Sequence, residues 1–293
     1  MQYDLTLRMG YTYQIPASNA RHMLRLLPLS LPGRQRLVAG SLTISPTPED
    51  QARFIDFFDH PTTSILVRKP HEKLDIRMQA RVSVESLPVT ADFSPVLADL
   101  ADEIADCWLV SSLSPHHFVS PSPRLPESPE ISDYARQWLL PKLTVMQIAR
   151  AMCTKIHKDF TYDGKATNVD TTPKEAFKLK RGVCQDFSHI MITALRSLGI
   201  PAGYVSGFLR TIPPPGKERL EGADAMHAWV RVWCGGTVGW IELDPTNDIP
   251  AGTDHIVVAY GRDYSDVAPV IGVLKSYGSQ KIDQAVDVIP LNS

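Results

Sequence analysis

A chain of 293 residues is long for one ordinary domain and sufficient for two. Its 43% hydrophobic and 21% charged content excludes bulk disorder, and a net charge of −2 with a pI near 6.5 gives no basic footprint for nucleic acid or an acidic membrane surface. No apolar run approaches the roughly 18 residues that span a bilayer. The start, Met1-Gln2-Tyr3-Asp4, lacks the basic and apolar regions of a secretory signal. Cys107, Cys153, Cys184 and Cys234 are widely spaced with no C-x-x-C pair, which argues against a disulfide framework or structural zinc. A cytoplasmic protein with reduced thiols is the expectation.

Up to Val84 the chain reads as strands: Tyr3 to Tyr13, Arg21 to Leu29, Arg36 to Ile44, Ser64 to Arg68 and Leu74 to Val84. Several alternate polar and apolar residues, and Pro28, Pro32-Gly33, Pro46, Pro48 and Pro61 punctuate them. An antiparallel sandwich or small barrel is expected. Pro95 to Cys107 reads as a helix with Leu97, Leu100, Ile104 and Cys107 on one face. Pro115 to Pro129, rich in proline and serine, has linker composition and predicts a domain junction. The division expected is therefore 1–120, β-rich with a helical extension, and 121–293.

Helices resume with Val145 to His157, apolar at 145, 148, 149, 152, 153 and 156. Thr172-Pro173-Lys174-Glu175 is a capping box with proline in the first turn. The segment Arg181 to Gly199 then carries Phe187, Ile190, Met191, Ala194, Leu195 and Leu198 on one helical stripe, stopped by Gly199 and Pro201. Gly182 can supply the unusual backbone angles of a tight entry. Cys184 falls in the first turn, where unpaired N–H groups and the positive end of the helix dipole favour a thiolate and can hold an oxyanion.

Met226 to Cys234 alternates with period two, Gly235 to Gly239 reads as a hairpin loop, and Trp240 to Thr246 as the return strand. If Cys234 pairs with Gly239, Asp244 lies opposite Trp229, on the face of His227 and diagonal to it. A slip of one residue would separate them. A histidine oriented by a carboxylate and facing a helix-N-terminal thiol completes a set of nucleophile, base and orienter.

These blocks resemble the bacterial transglutaminase-like family, a group of candidate cysteine proteases. The resemblance rests on Arg181-Gly182-Val183-Cys184-Gln185-Asp186-Phe187, on Leu195 to Gly207, on His227-Ala228-Trp229-Val230 and on Asp244-Pro245-Thr246-Asn247. Arg21 to Pro28 resembles the family's β-rich N-terminal domain. It implies an α+β, papain-like core, with the cysteine helix packed on an antiparallel sheet, preceded by an all-β domain. It implies Cys184 as nucleophile, His227 as general base and acid, and Asp244 as orienter. The reaction implied is acyl transfer from a peptide or protein amide through a thioester, to water or to an amine, with no cofactor and no metal. Gln185, Tyr162 and Asn168 are candidates for a second oxyanion donor. A non-catalytic scaffold binding a protein or peptide is the alternative, although no triad residue is lost. An acyl-coenzyme A enzyme fits poorly with a β-rich first half, and no acidic loop suggests calcium. The oligomeric state is left open.

Other features carry less. His116-His117 reads as a solvated loop, since adjacent histidines point apart. Lys178, Lys180 and Arg181 read as solvated surface, and Cys107, Cys153 and Cys234 as inert. Pro213 to Arg219 reads as an inflexible insertion, equally a lid or a plain loop.

Overall fold

The computed structural model describes residues 1–86, 91–137, 139, 142–211, 222 and 224–291. The Pro213 to Arg219 insertion lies outside them. The chain opens with antiparallel strands β1 (Gln2–Leu24), β2 (Gln35–Ser45), β3 (Asp50–Ile55), β4 (Pro61–Val67) and β5 (His71–Val84). Their period-2 pattern is realised as burial: Tyr3, Leu5, Leu7, Met9, Tyr11 and Tyr13 all face inward, and β5 answers with Leu74, Ile76, Met78, Ala80 and Val82. Leu7 stands opposite Met78 and Met9 opposite Ile76.

Two strands were expected where β1 is one. Its ladder with β5 shifts between Thr12 and Ala17, and Asn19 takes a left-handed φ of 48°. The first half of β1 pairs with β5 and the second with β4. The irregularity bends a continuous strand without ending it. β3, exposed along its whole length, is an edge strand and lacks the alternation that would have announced it.

The helix expected over Pro95 to Cys107 shortens to a 3-10 turn at 97–99 and α1 (Leu100–Ala105), so Cys107 lies past its end, half-buried. The proline-rich stretch is packed rather than loose. Phe118 and Leu125 are buried, and the buried Arg196 donates to the Ser120 carbonyl and the Ser122 hydroxyl. It runs into α2 (Pro129–Arg136), and α3 (Val145–Asp159) follows behind a Thr144–Gln147 capping box. Next come β6 (Thr161–Tyr162), α4 (Pro173–Leu179) behind the Thr172–Glu175 capping box, β7 (Arg181–Gly182) and α5 (Cys184–Ser197). Lys180 is exposed, as expected, but its ammonium lies 3.7 Å from the Phe177 ring centre and 4.4 Å from that of Phe160.

The remaining core consists of β8 (Ala202–Leu209), β9 (Ala225–Trp233), α6 (Gly235–Val238), β10 (Trp240–Asp244), β11 (Ile249–Pro250), β12 (His255–Gly261) and α7 (Tyr264–Val267). The strands form one antiparallel sheet in the order β11-β10-β9-β8-β12, and α5 packs on β8 and β9. This is the α+β arrangement expected. The hairpin loop is a single helical turn, α6, bounded by Gly235 and Gly239 at φ of 87° and 71°.

The chain then leaves this sheet. β13 (Val270–Lys275) pairs with the second half of β1 and β14 (Gln280–Leu291) with the first half. The expected boundary placed 121–293 in one unit, whereas these last two strands complete the N-terminal sheet. The halves are also tied elsewhere. Gln35 on β2 exchanges hydrogen bonds with the Val257 backbone, beside a ladder shift in β12. His60 accepts the Tyr260 N–H at 3.0 Å. Arg34 forms a two-pronged ion pair with Glu242, which also accepts from Trp229 and Tyr260.

Candidate active site

Cys184 is the first residue of α5, and a local lock holds it there. The Asp186 carboxylate accepts the Val183 N–H at 2.8 Å and the Thr167 hydroxyl at 2.6 Å. Gly182 does not take a positive φ. A Cβ at that position would meet Asp186 Oδ2 at 2.5 Å, so glycine serves the close approach of the lock rather than an unusual turn. Gln185 donates to the Val169 carbonyl at 3.0 Å and is committed there.

The hairpin has the register that joins the other two residues. The Cys234 N–H donates to the Gly239 carbonyl, Trp240 pairs with Trp233, and Leu243 with Val230, which puts Asp244 across from Trp229. His227 Nε2 donates to Asp244 Oδ2 at 2.8 Å. The other imidazole nitrogen, Nδ1, is thereby left for Cys184, which interacts with His227 across the cleft floor. Burial alone would push the imidazole down. Hydrogen bonding to Asp244 and Cys184, with their charges, reverses this and raises it to about 10.

Asp244 is fully buried and every lone pair is used. Oδ2 accepts from His227, from Asn247 Nδ2 at 2.7 Å and from His255 Nε2 at 3.1 Å. Oδ1 accepts the backbone N–H groups of Thr246 and Asn247 at 2.9 and 3.3 Å. Burial opposes ionisation, but these donors hold the carboxyl well below its ordinary range. His255 Nδ1 accepts the Gly252 N–H, which fixes its proton on Nε2. The Trp229 indole packs against both imidazoles, stacked on His227 at 6.0 Å and edge-on to His255 at 5.1 Å, and donates to Glu242. Glu242 thus has a task in the lead-in to Asp244, receiving Arg34 from the other half of the chain.

Sequence reasoning did not find His255 or Glu242 as supports, because β12 reaches β8 and Arg34 reaches β10 only through the tertiary fold. Asn247 stood in the quoted motif without a role. Of the three oxyanion candidates, Asn168 lies outside the cleft that holds Cys184, and Gln185 is committed. Tyr162 pairs with Gly182, and its hydroxyl is raised by burial and by the charge of Cys184.

Among the described residues, the ligand atoms of His227, Asp244 and His255 converge within 4.8 Å, close enough to hold a cation, but mutual hydrogen bonds account for the cluster. His116 and His117 donate to the Cys107 and Ser111 carbonyls and do not form a ligand pair. Burial raises the Cys153 and Cys234 thiols to about 12. Among the described residues no helix is long and apolar enough to cross a membrane.

Comparison with known proteins gives the family. Residues 132–245 match the transglutaminase-like superfamily and residues 3–83 the bacterial transglutaminase-like N-terminal region. An uncharacterized protein of Mycobacterium tuberculosis H37Rv is 37% identical over 265 residues, spanning 88% of this chain and 83% of its own. One from Mycobacterium leprae is 30% identical over 295 residues, 96% of each. In structure, the whole chain superposes on 91% of a candidate cysteine protease from Cytophaga hutchinsonii, with a TM-score of 0.78 at 20% identity. That likeness is one of fold.

Proposed function

The chain belongs to the transglutaminase-like superfamily, and from that premise we propose that it is a cysteine-dependent acyl-transfer enzyme acting on an amide or peptide bond through a thioester on Cys184. The observation that carries this reading is the meeting, in one cleft, of a helix-N-terminal thiol with an imidazole that a buried carboxylate holds. In the proposed sequence the Cys184 sulfur adds to the carbonyl carbon and the C=O electrons move to oxygen. The Cys184 backbone N–H, at the open end of α5, faces the oxyanion. His227 passes the Nδ1 proton to the leaving amine as the C–N bond breaks, leaving the thioester. Water or a primary amine then gives its proton to Nδ1, attacks the thioester and releases the acid or the new amide with the free thiol. Asp244 keeps the Nε2 proton in place throughout.

The test is alkylation by iodoacetamide from pH 5 to 9, with each adduct located by mass spectrometry. Cys153 and Cys234 serve as buried controls. Cys184 should label selectively below neutral pH, and His227→Ala should lose that labelling. Cys184→Ala should abolish turnover while leaving the fold intact. Labelling of Cys184 only above about pH 8, the range of an ordinary thiol, would refute the activated pair.

A further inference from the structure

The cleft that holds Cys184 and His227 has a volume of about 600 Å³, within the ordinary range of ligand sites. Only one side of it belongs to the cysteine core. Met9, Tyr11 and His22 from β1, Ile271 from β13 and Ile282 from β14 form the opposite wall. The return of the last two strands to the N-terminal sheet thus builds half of the substrate-facing surface. That wall is mostly apolar. Among the described lining residues Arg124 is the sole permanent charge, and its guanidinium is engaged by the Val169 carbonyl, Ser265 and Asp170.

Gln280 and Gln284 of β14 also reach the wall, both exposed, and His22 differs from them in being buried. It is 6% exposed, and Nε2 is buried without a hydrogen-bond partner. β13 crosses the ring closely: a Cβ on Gly272 would meet His22 Nδ1 closer than atoms approach, and Gly272 is the cross-strand partner of His22. Burial lowers the imidazole's affinity for a proton, so it stands neutral at pH 7 and can give or take a hydrogen bond at Nε2. An unmet polar atom this deep carries a cost unless something fills it.

We propose that this wall is the acyl donor's side-chain subsite, and that His22 selects a neutral side chain with an apolar body and a hydroxyl end, a phenol such as that of tyrosine. The inference rests on the acyl-transfer reading above. Recognition is by shape and one hydrogen bond: the apolar wall takes the ring, and His22 Nε2 meets the hydroxyl. Carboxylates and ammonium groups find no free counter-charge along the described wall.

Dipeptidyl chloromethyl ketones test it, with tyrosine, phenylalanine, glutamate or lysine in either position and alanine in the other. The tyrosyl probe should alkylate Cys184 about tenfold faster than the phenylalanyl one at one of the two positions, the expected size of one buried hydrogen bond. His22→Gln, which keeps a hydrogen-bonding group near the place of Nε2, should retain part of that ratio. His22→Met, of like shape without the group, should bring it to about one. Iodoacetamide, too small to span the cleft, reads the thiolate by itself. Failure of iodoacetamide labelling below neutral pH counts against the acyl-transfer reading, whereas normal labelling with equal tyrosyl and phenylalanyl rates overturns the subsite alone. A preference for the glutamyl probe would overturn it in favour of Arg124. The wild-type comparison needs no variant, so poor folding of a substitution leaves the proposal exposed to refutation.

Discussion

The two walls of the cleft that holds Cys184 are built to opposite rules. On the core side, Asp244 accepts five hydrogen bonds and both imidazoles facing it have assigned protons. On the N-terminal side, His22 Nε2 is also buried but has no partner. A saturated network has one arrangement, which is what a base needs if it is to meet a sulfur reproducibly. An unsaturated buried atom is what the proposed subsite offers a ligand group. The difference teaches that burial by itself does not separate support from recognition; the hydrogen-bond inventory does.

The largest effect expected from breaking the contrast is on the saturated side. Asp244→Asn keeps the volume but replaces an acceptor-only group by one with a donating end among five donors. About 3–5 kcal/mol of stability should be lost, since the partners of a buried charge are stranded, and low-pH alkylation of Cys184 should disappear with it. Urea unfolding together with the iodoacetamide profile measures both. A variant with unchanged stability would mean that the network around Asp244 does not hold the fold as described.

The next effect is a pH dependence with a definite sign. The His227 imidazole is raised to about 10 in the folded chain, so the folded state binds its proton more tightly than the unfolded state does. The stabilisation is complete below about 6.5, the unfolded imidazole's value, and is lost as pH rises through about 10. Thermal melts of wild type and His227→Gln should therefore differ most at pH 6 and converge toward pH 10. A gap that widens with pH would reverse the assignment and make His227 neutral in the resting protein.

How much of this was legible beforehand depends on chain distance. The thiol at the start of α5 and the His227–Asp244 diagonal follow from local spacing and from one hairpin register, and both are found in place. The α+β core with a β-rich first half was legible for the same reason, since alternation and helical stripes are local signals. The partner of a strand is not local. Gln280 to Leu291 reads as strand either way, and only the free edge of β1 draws it to the N-terminal sheet. His255 and Arg34 are ordinary residues until β12 and β10 bring them to Asp244 and Glu242. The proline-rich stretch misled in the opposite direction: its composition suits a linker, but the buried guanidinium of Arg196 needs the Ser120 carbonyl and Ser122 hydroxyl as acceptors.

The smallest effect should come from the link between the halves, and a cycle of variants gives it a clear reading. Arg34 is the cation paired directly with Glu242, Trp229 and Tyr260 donate to the same carboxylate, and the buried Arg231 adds its charge from across the β9–β10 ladder. Arg34→Met leaves that carboxylate buried with two neutral donors, and a loss of about 2 kcal/mol is expected, below the usual range for a broken buried pair because the donors remain. Adding Glu242→Gln removes the stranded charge while an amide oxygen can still accept from Trp229 or Tyr260. The double variant should then be more stable than Arg34→Met alone, by about 1 kcal/mol, with positive coupling between the sites. Additive losses would mean that Arg34 acts by packing its aliphatic stem rather than by charge. Because Trp229 stacks on His227, the Cys184 alkylation rate belongs to the same cycle. If that rate follows stability through all four proteins, the N-terminal half braces the base as well as walling the cleft. If it stays constant, Arg34 holds the halves together and the imidazole is held by Asp244 without its help.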